Sequence, residues 1–185
     1  MKPVEIIQTS KKELKKILLK KLCDKIFHIT SQIGYEGIIK EQKILPSNKK
    51  KIKHKIWNYN KYCAIRNCVS VVDLYHNKDL KLILNALDNY NFCDPYSVVN
   101  SNIAYFLILK KELYDSKKII TWKEIKKERE KTKKFGEQTV PNLEACIKEY
   151  IKLSEIDYII KVETEKELTK KELSELYLSY LPKSI

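Results

Sequence analysis

The chain has 185 residues, of which 43% are apolar and 10% aromatic, so it can bury a hydrophobic core and is not a disordered protein. Its three glycines form neither a GxGxxG fingerprint nor a Walker loop, which excludes the common dinucleotide-binding and P-loop sites. The net charge is +13, and no apolar stretch is long enough to span a bilayer. We therefore expect a soluble, cytoplasmic protein.

The first third of the chain predicts a helix, a strand and a second helix. An S-x-x-E capping box begins at Ser10, and apolar residues at helical spacing follow it, which predicts an amphipathic helix with lysines on its outer face. Residues 25–30 are β-branched and aromatic and predict a strand. Residues 32–42 predict a second helix, and the lysine-rich residues 47–61 predict a loop.

The remainder predicts mainly strands, separated by one helix and one charged segment and followed by a terminal helix. Residues 123–138 are charged, and we expect mobility there and in residues 47–61. A capping box at Thr164 predicts the terminal helix. The predicted strands are residues 68–74, 102–109, 118–122, 140–147 and 157–163, and the internal helix is residues 78–90.

These elements predict an α+β fold: one mixed or antiparallel sheet packed against flanking helices. No linker and no repeat divides the chain, so we expect a single domain. Within it, residues 1–24 form the N-terminal helix, residues 25–163 the core, and residues 164–185 the C-terminal helix.

The positive charge is concentrated in two stripes, residues 11–55 and residues 117–134. Such stripes attract polyanions, which predicts nucleic acid as a partner, with DNA, RNA and single strands all open. The alternative is a solvated lysine face that only keeps the protein soluble. No membrane partner is expected.

The cysteines are odd in number, form no CxxC pair and lie in or beside apolar runs. This pattern favours buried free thiols over a disulfide framework, and it offers neither a zinc site nor any other metal site. The five are Cys23, Cys63, Cys68, Cys93 and Cys146.

Three side chains are candidates for chemistry. His28 lies on a strand that leads directly into a helix, although a strand histidine can also be satisfied by the backbone alone. Arg66 is one of only two arginines among 37 basic residues, which suggests a planar donor for phosphate or carboxylate, against the alternative of an ordinary surface arginine. Glu144 interrupts an apolar strand, so it is either half-buried at a functional site or turned to solvent.

Four segments, read in order, resemble the ADP-ribosyltransferase-like family. The first two are Ile26-Phe-His-Ile-Thr-Ser31 and the helix through Gly37-Ile-Ile-Lys-Glu-Gln-Lys-Ile-Leu45, in which Gln42 replaces the glycine of the family motif. The others are Arg66-Asn-Cys-Val-Ser-Val-Val-Asp-Leu74 and Val140-Pro-Asn-Leu-Glu-Ala-Cys-Ile147. The arrangement is nearest to DNA-targeting toxins and abortive-infection proteins of that family and covers residues 25–163.

The resemblance implies a split sheet that binds NAD as a substrate. It implies that Glu144 is catalytic and stabilises the oxocarbenium-like charge as nicotinamide leaves, and that Arg66 is catalytic through the pyrophosphate or the acceptor. It implies cofactor-binding roles for His28, Thr30, Tyr35 and Ser70.

The implied function is NAD-dependent ADP-ribosyl transfer by a toxin or defence protein that modifies nucleic acid and pairs with an antitoxin or host protein. One alternative is a basic nucleic-acid-binding module without catalysis. Another is an RNA 2′-phosphotransferase-like or degenerate relative of the same fold.

Overall fold

The computed structural model describes most of the sheet and three of its helices. The described residues are 2–46, 63, 66–83, 102–115, 118–132 and 143–164.

Seven strands form one mixed sheet in the order β1-β9-β5-β2-β4-β7-β6, and β3 and β8 form a small separate ladder. Strands β1 and β9 pair in parallel, and every other pairing described in the sheet is antiparallel. The strands are β1 (Val4–Thr9), β2 (Ile26–Thr30), β3 (Lys43–Ile44), β4 (Cys68–Asp73), β5 (Ile103–Leu109), β6 (Ile119–Ile120), β7 (Glu144–Lys148), β8 (Ile151–Lys152) and β9 (Ile156–Thr164).

Helix α1 (Lys11–Leu22) covers one face of the sheet. Its buried leucines, Leu14, Leu18 and Leu22, recur every fourth residue and therefore lie on one side of the helix. They pack against Phe27 of β2 and apolar residues of β5 and β9. We call this side of the sheet the α1 face.

Helix α2 (Gln32–Glu41) covers the opposite face, here called the α2 face. The hydroxyl of Ser31 caps the helix by accepting a hydrogen bond from the Gly34 N–H at 3.1 Å. Ile38 packs into a cluster with alternate residues of β2, β4, β5 and β7, including Leu107. The sheet is thus buried on both sides.

A third helix, α3 (Trp122–Thr132), packs near the β6 edge. Its fully buried Ile125 contacts a small cluster made of Cys63, Cys68 and Cys146. Since Cys68 and Cys146 share the strand face of Val72 and its paired residue Phe27, α1 and α3 cover the same side of the sheet.

The predicted α+β architecture, a mixed sheet with flanking helices, is confirmed. Helices α1 and α2 and strands β2, β4, β5 and β9 lie within one or two residues of the predicted bounds. The internal helix is described only over residues 80–83. Residues 47–61, most of residues 84–101 and the predicted C-terminal helix lie outside the described residues.

Four predictions of local structure were wrong. Residues 4–9 form a strand rather than part of an N-terminal helix, because their backbone pairs in parallel with β9 and Ile7 is buried in the core. The strand predicted at 118–122 is limited to two residues. The charged segment that follows is the helix α3 as far as Thr132, because its fully buried Ile125 anchors it to the sheet. The Ser10 side chain also makes no cap bond to α1.

No helix in the described part of the chain is both long enough and apolar enough to cross a membrane.

Candidate active site

The site lies where strands β2 and β4 part. Their ladder has only two residue pairs, Ile26 with Asp73 and Phe27 with Val72. By contrast, β2 pairs with β5 over four residues and β4 pairs with β7 over five. The two central strands therefore hold together at one end and leave a gap beyond Phe27.

The imidazole of His28 bridges this gap. Its Nδ1 lies 2.9 Å from the backbone carbonyl oxygen of Ser70 on β4. A carbonyl oxygen only accepts hydrogen bonds, so Nδ1 carries the proton and donates it, and the Nε2 of the neutral ring keeps its lone pair. Burial lowers the pKa of His28, and the hydrogen bond to Ser70 offsets only part of that effect. At neutral pH the ring is therefore uncharged and basic at Nε2.

Glu144 begins β7 as a buried carboxylate with a relative exposure of 7%. The Ser70 hydroxyl donates a hydrogen bond of 2.8 Å to its Oε1. Burying a carboxylate is costly unless polar groups contact it, so this bond helps to hold the charge in place. The sequence left open whether Glu144 faces solvent or the interior, and the structure shows the interior.

Ser70 thus joins the other two residues, with its carbonyl oxygen bound to His28 and its hydroxyl bound to Glu144. The three residues lie on the consecutive strands β2, β4 and β7. We call them the His28–Ser70–Glu144 row. All three are candidates from the sequence, and the structure brings them together, while their chemical roles stay predictions.

Thr30 and Tyr35 lie on the α2 face of the sheet. Thr30 is buried at the end of β2, opposite Tyr105 of β5. The ring of Tyr35 stacks on that of Tyr105, with centroids 4.1 Å apart and planes 6° from parallel. Glu144 pairs with Val72 and therefore projects to the α1 face. Thr30 and Tyr35 therefore lie on the same face as His28, which precedes Thr30 by two residues and pairs with Leu107, and on the face opposite to the Glu144 side chain.

Arg66 lies two residues before β4, and its guanidinium forms an ion pair with Glu128 of α3. Its backbone carbonyl accepts a hydrogen bond of 3.3 Å from the Cys68 thiol. The structure places this arginine against α3, and its predicted contact with a phosphate or an acceptor stays a prediction.

The prediction that all the cysteines are free thiols was wrong, because Cys63 and Cys146 form a disulfide. Their sequence separation of 83 residues gives no spacing motif, so only the fold brings them together. Cys68 is free and buried as expected, whereas the free Cys23 is exposed. Cys93 lies outside the described residues.

Sequence reasoning also missed a buried acid–histidine pair at the end of β4. Asp73 is fully buried, and its Oδ2 lies 2.8 Å from Nδ1 of His76. Its Oδ1 accepts a hydrogen bond of 2.9 Å from the His76 backbone N–H. The D-x-x-H spacing was the available signal. Among the residues described, no three or more His, Cys, Asp and Glu side chains are grouped as metal ligands would be.

The comparison with protein families gives a match to the model described as "Mannosyltransferase putative", over residues 2–180. The chain belongs to this family. The match covers nearly the whole chain, including all three residues of the row. No curated protein and no solved structure matches the chain.

Membership of this mannosyltransferase family overturns the resemblance to ADP-ribosyltransferases and the function drawn from it. The enzyme class implied is a glycosyltransferase, but the reaction is not ADP-ribosyl transfer and the toxin assignment fails with it. The physical reason is that short strand and helix segments around a buried carboxylate suit any reaction that develops positive charge at an anomeric carbon. They do not specify the donor.

The alternative functions, a non-catalytic nucleic-acid-binding module and an RNA 2′-phosphotransferase-like relative, are replaced on the same ground. NAD as a ligand stays a sequence-based prediction, and mannosyl transfer does not require it. Nucleic acid, an antitoxin or a host protein as partners, and a cytoplasmic location, also stay predictions.

Proposed function

We propose that this protein transfers a mannosyl group from a phosphate-activated donor, such as a nucleoside diphosphate mannose, to an acceptor hydroxyl. We place the reaction at the His28–Ser70–Glu144 row. The observation that carries the proposal is the buried Glu144 carboxylate held by the Ser70 hydroxyl at 2.8 Å, in a chain that matches a mannosyltransferase family.

The carboxylate suits the charge that mannosyl transfer develops. When the bond between the anomeric carbon and the phosphate oxygen breaks, the electron pair leaves with the phosphate, and positive charge develops on the anomeric carbon and ring oxygen. A fixed carboxylate in a buried site stabilises such charge more strongly than water does. Ser70 fixes the orientation of Glu144 before the reaction begins, so little reorganisation is needed.

His28 supplies the complementary proton transfer. The acceptor hydroxyl must lose a proton as its oxygen bonds to the anomeric carbon, and a neutral imidazole with a free Nε2 lone pair accepts that proton. The Nδ1–H bond to the Ser70 carbonyl sets the tautomer that makes Nε2 the base. The lowered pKa of His28 keeps this base unprotonated at neutral pH.

The charge around the site supports an anionic donor. Helices α1 and α3 cover the face to which Glu144 projects, and each carries exposed lysines. A positive surface of this kind raises the local concentration of phosphorylated ligands. The exposed lysines include Lys16, Lys20, Lys123, Lys126 and Lys127.

The test is transfer of radiolabelled mannose from GDP-mannose, and separately from a polyprenyl phosphate mannose, to simple mannosides and mannose oligosaccharides. We expect Glu144→Gln to lower kcat by roughly 10²-fold or more, as the loss of a preorganised electrostatic group does. Glu149→Gln is the matched control, because Glu149 is exposed and follows the same strand. Absence of transfer from both donors, or full activity of Glu144→Gln, would contradict the proposal.

A further inference from the structure

The Cys63–Cys146 disulfide lies beside the proposed reaction centre. Both cysteines are fully buried, and their Cα atoms are 6.1 Å apart. Cys146 belongs to β7, two residues after Glu144, and pairs directly with Ser70 on β4. The disulfide therefore attaches residue 63 to the strand that carries the carboxylate.

The disulfide also contacts the carboxylate itself. The Cys63 sulfur lies 3.7 Å from Oε1 of Glu144, the same oxygen that accepts the Ser70 hydrogen bond. A sulfur bonded to another sulfur has no proton to donate, so this contact leaves the charge of Oε1 undiminished. The same sulfur as a thiol is a weak hydrogen-bond donor, and 3.7 Å is within reach of an S–H···O bond.

We infer that the Cys63–Cys146 disulfide is a redox control of the Glu144 carboxylate, and hence of the proposed mannosyl transfer, on which this inference rests. Reduction by a dithiol breaks the S–S bond. Two electrons and two protons pass to the cysteine sulfurs as the dithiol becomes a cyclic disulfide. The new Cys63 S–H then donates to Glu144 Oε1, and the link between residue 63 and β7 is lost.

The oxidised protein is the active form. With the disulfide intact, the carboxylate keeps its negative charge for the developing cation and stays in its position. A thiol hydrogen bond withdraws part of that charge, and release of residue 63 loosens the packing against Oε1. We expect full reduction to lower the transfer rate by roughly tenfold, the usual effect of one altered hydrogen bond to a charged group.

The test compares oxidised protein with protein fully reduced by dithiothreitol, with the thiols counted by mass spectrometry after alkylation. Transfer from GDP-mannose is measured in both states. The reduced-minus-oxidised infrared difference spectrum is recorded as well, and Glu144→Gln identifies the band of this carboxylate. We expect reduced wild-type protein to transfer mannose more slowly and to show a shifted carboxylate band. We expect neither response in Cys63→Ala.

Cys146→Ala keeps the Cys63 thiol without its disulfide partner. Its transfer rate and its carboxylate band should therefore match those of reduced wild-type protein, and neither should change when dithiothreitol is added. Cys23→Ala, which removes the exposed free thiol, should respond as wild type does. An unchanged carboxylate band in fully reduced wild-type protein would overturn the inference. If no transfer is seen in either state, the proposed function fails, while the infrared spectrum still decides the redox contact.

Discussion

The Ser70 hydroxyl donates a 2.8 Å hydrogen bond to Oε1 of Glu144, across the ladder that joins β4 to β7. The two residues are diagonal neighbours in this ladder, because Glu144 pairs with Val72 and Ser70 pairs with Cys146. Each side chain therefore provides a hydrogen-bond partner for the other in a part of the sheet that is otherwise apolar. Substituting one of them leaves the other as a buried polar group without this hydrogen bond. Substituting both by apolar residues leaves no such group.

The first prediction is energetic coupling between these two side chains. Ser70→Ala should lower the free energy of unfolding by about 1.5–3 kcal/mol, because a buried carboxylate loses a hydrogen bond. The Ser70→Ala/Glu144→Leu double variant should lose less than the sum of the single variants, with a coupling of about 0.5–3 kcal/mol. Urea unfolding measures all four proteins. Ser154→Ala, at an exposed site, should change stability by less than about 0.5 kcal/mol, and strict additivity would contradict the prediction.

The second prediction concerns pH and His28. The pKa of this histidine is lower in the folded protein than its ordinary value of 6.5, so between those two values the unfolded chain binds more protons. The contribution of His28 to the free energy of unfolding is therefore fully present above about pH 6.5, and it is lost as the pH decreases towards the folded pKa. Denaturant unfolding from pH 8 to pH 5 should show this loss, and His28→Gln should reduce it. An identical pH profile in the variant would show that another group is responsible.

The third prediction uses two glycines of α2 with opposite surroundings. A Cβ on Gly34 would lie 2.0 Å from the hydroxyl oxygen of Thr30, which is buried and β-branched and has little room to rotate. Gly34→Ala should therefore destabilise the protein by about 1–3 kcal/mol.

A Cβ on Gly37 would meet no atom within 4 Å. Gly37→Ala should stabilise the protein by up to about 1 kcal/mol through helix propensity alone. Thermal unfolding of the two variants should move the midpoint in opposite directions. A shift of the same sign in both would refute the steric argument at Gly34.

The fourth prediction concerns alkaline pH and Tyr114, which is buried beside the last residues of β5. Burial raises its pKa to about 12, and a hydrogen bond to the backbone of Ile26 opposes that rise. The folded state therefore holds the phenol proton between pH 10 and about 12, where the unfolded chain has released it, and stability falls with rising pH in that range. Wild-type protein should lose more stability there than Tyr114→Phe. Parallel curves for the two proteins would contradict this.

The sequence predicted the central strands and the first two helices because their patterns are local. Strand β5 is a nearly uninterrupted apolar run, and it is buried on both faces as such a run indicates. Gln42, noted only as a missing glycine, adopts the left-handed conformation that ends α2, with φ 56°.

The elements missed by the sequence depend on distant partners. Strand β1 has a single buried residue, Ile7, and exists because β9 pairs with it about 150 residues later. The Cys63–Cys146 disulfide is non-local in the same way.

The candidate site was predictable in its residues but not in its reaction. His28, Ser70 and Glu144 were each singled out, and the sheet order makes them neighbours on consecutive strands. Their geometry suits the positive charge that develops at an anomeric carbon, whichever leaving group departs from that carbon. Assignment to the mannosyltransferase family needed the family match, because no local pattern in the strands encodes it.

The parallel pairing of β1 with β9 has a consequence for synthesis of the chain. On the ribosome, Val4–Thr9 emerges well before its partner Ile156–Thr164, which is made more than a hundred residues later. Until then, the backbone of Val4–Thr9 lacks the ladder partner that it has in the folded protein, and Ile7 is not yet buried. This edge strand is therefore completed only late in translation.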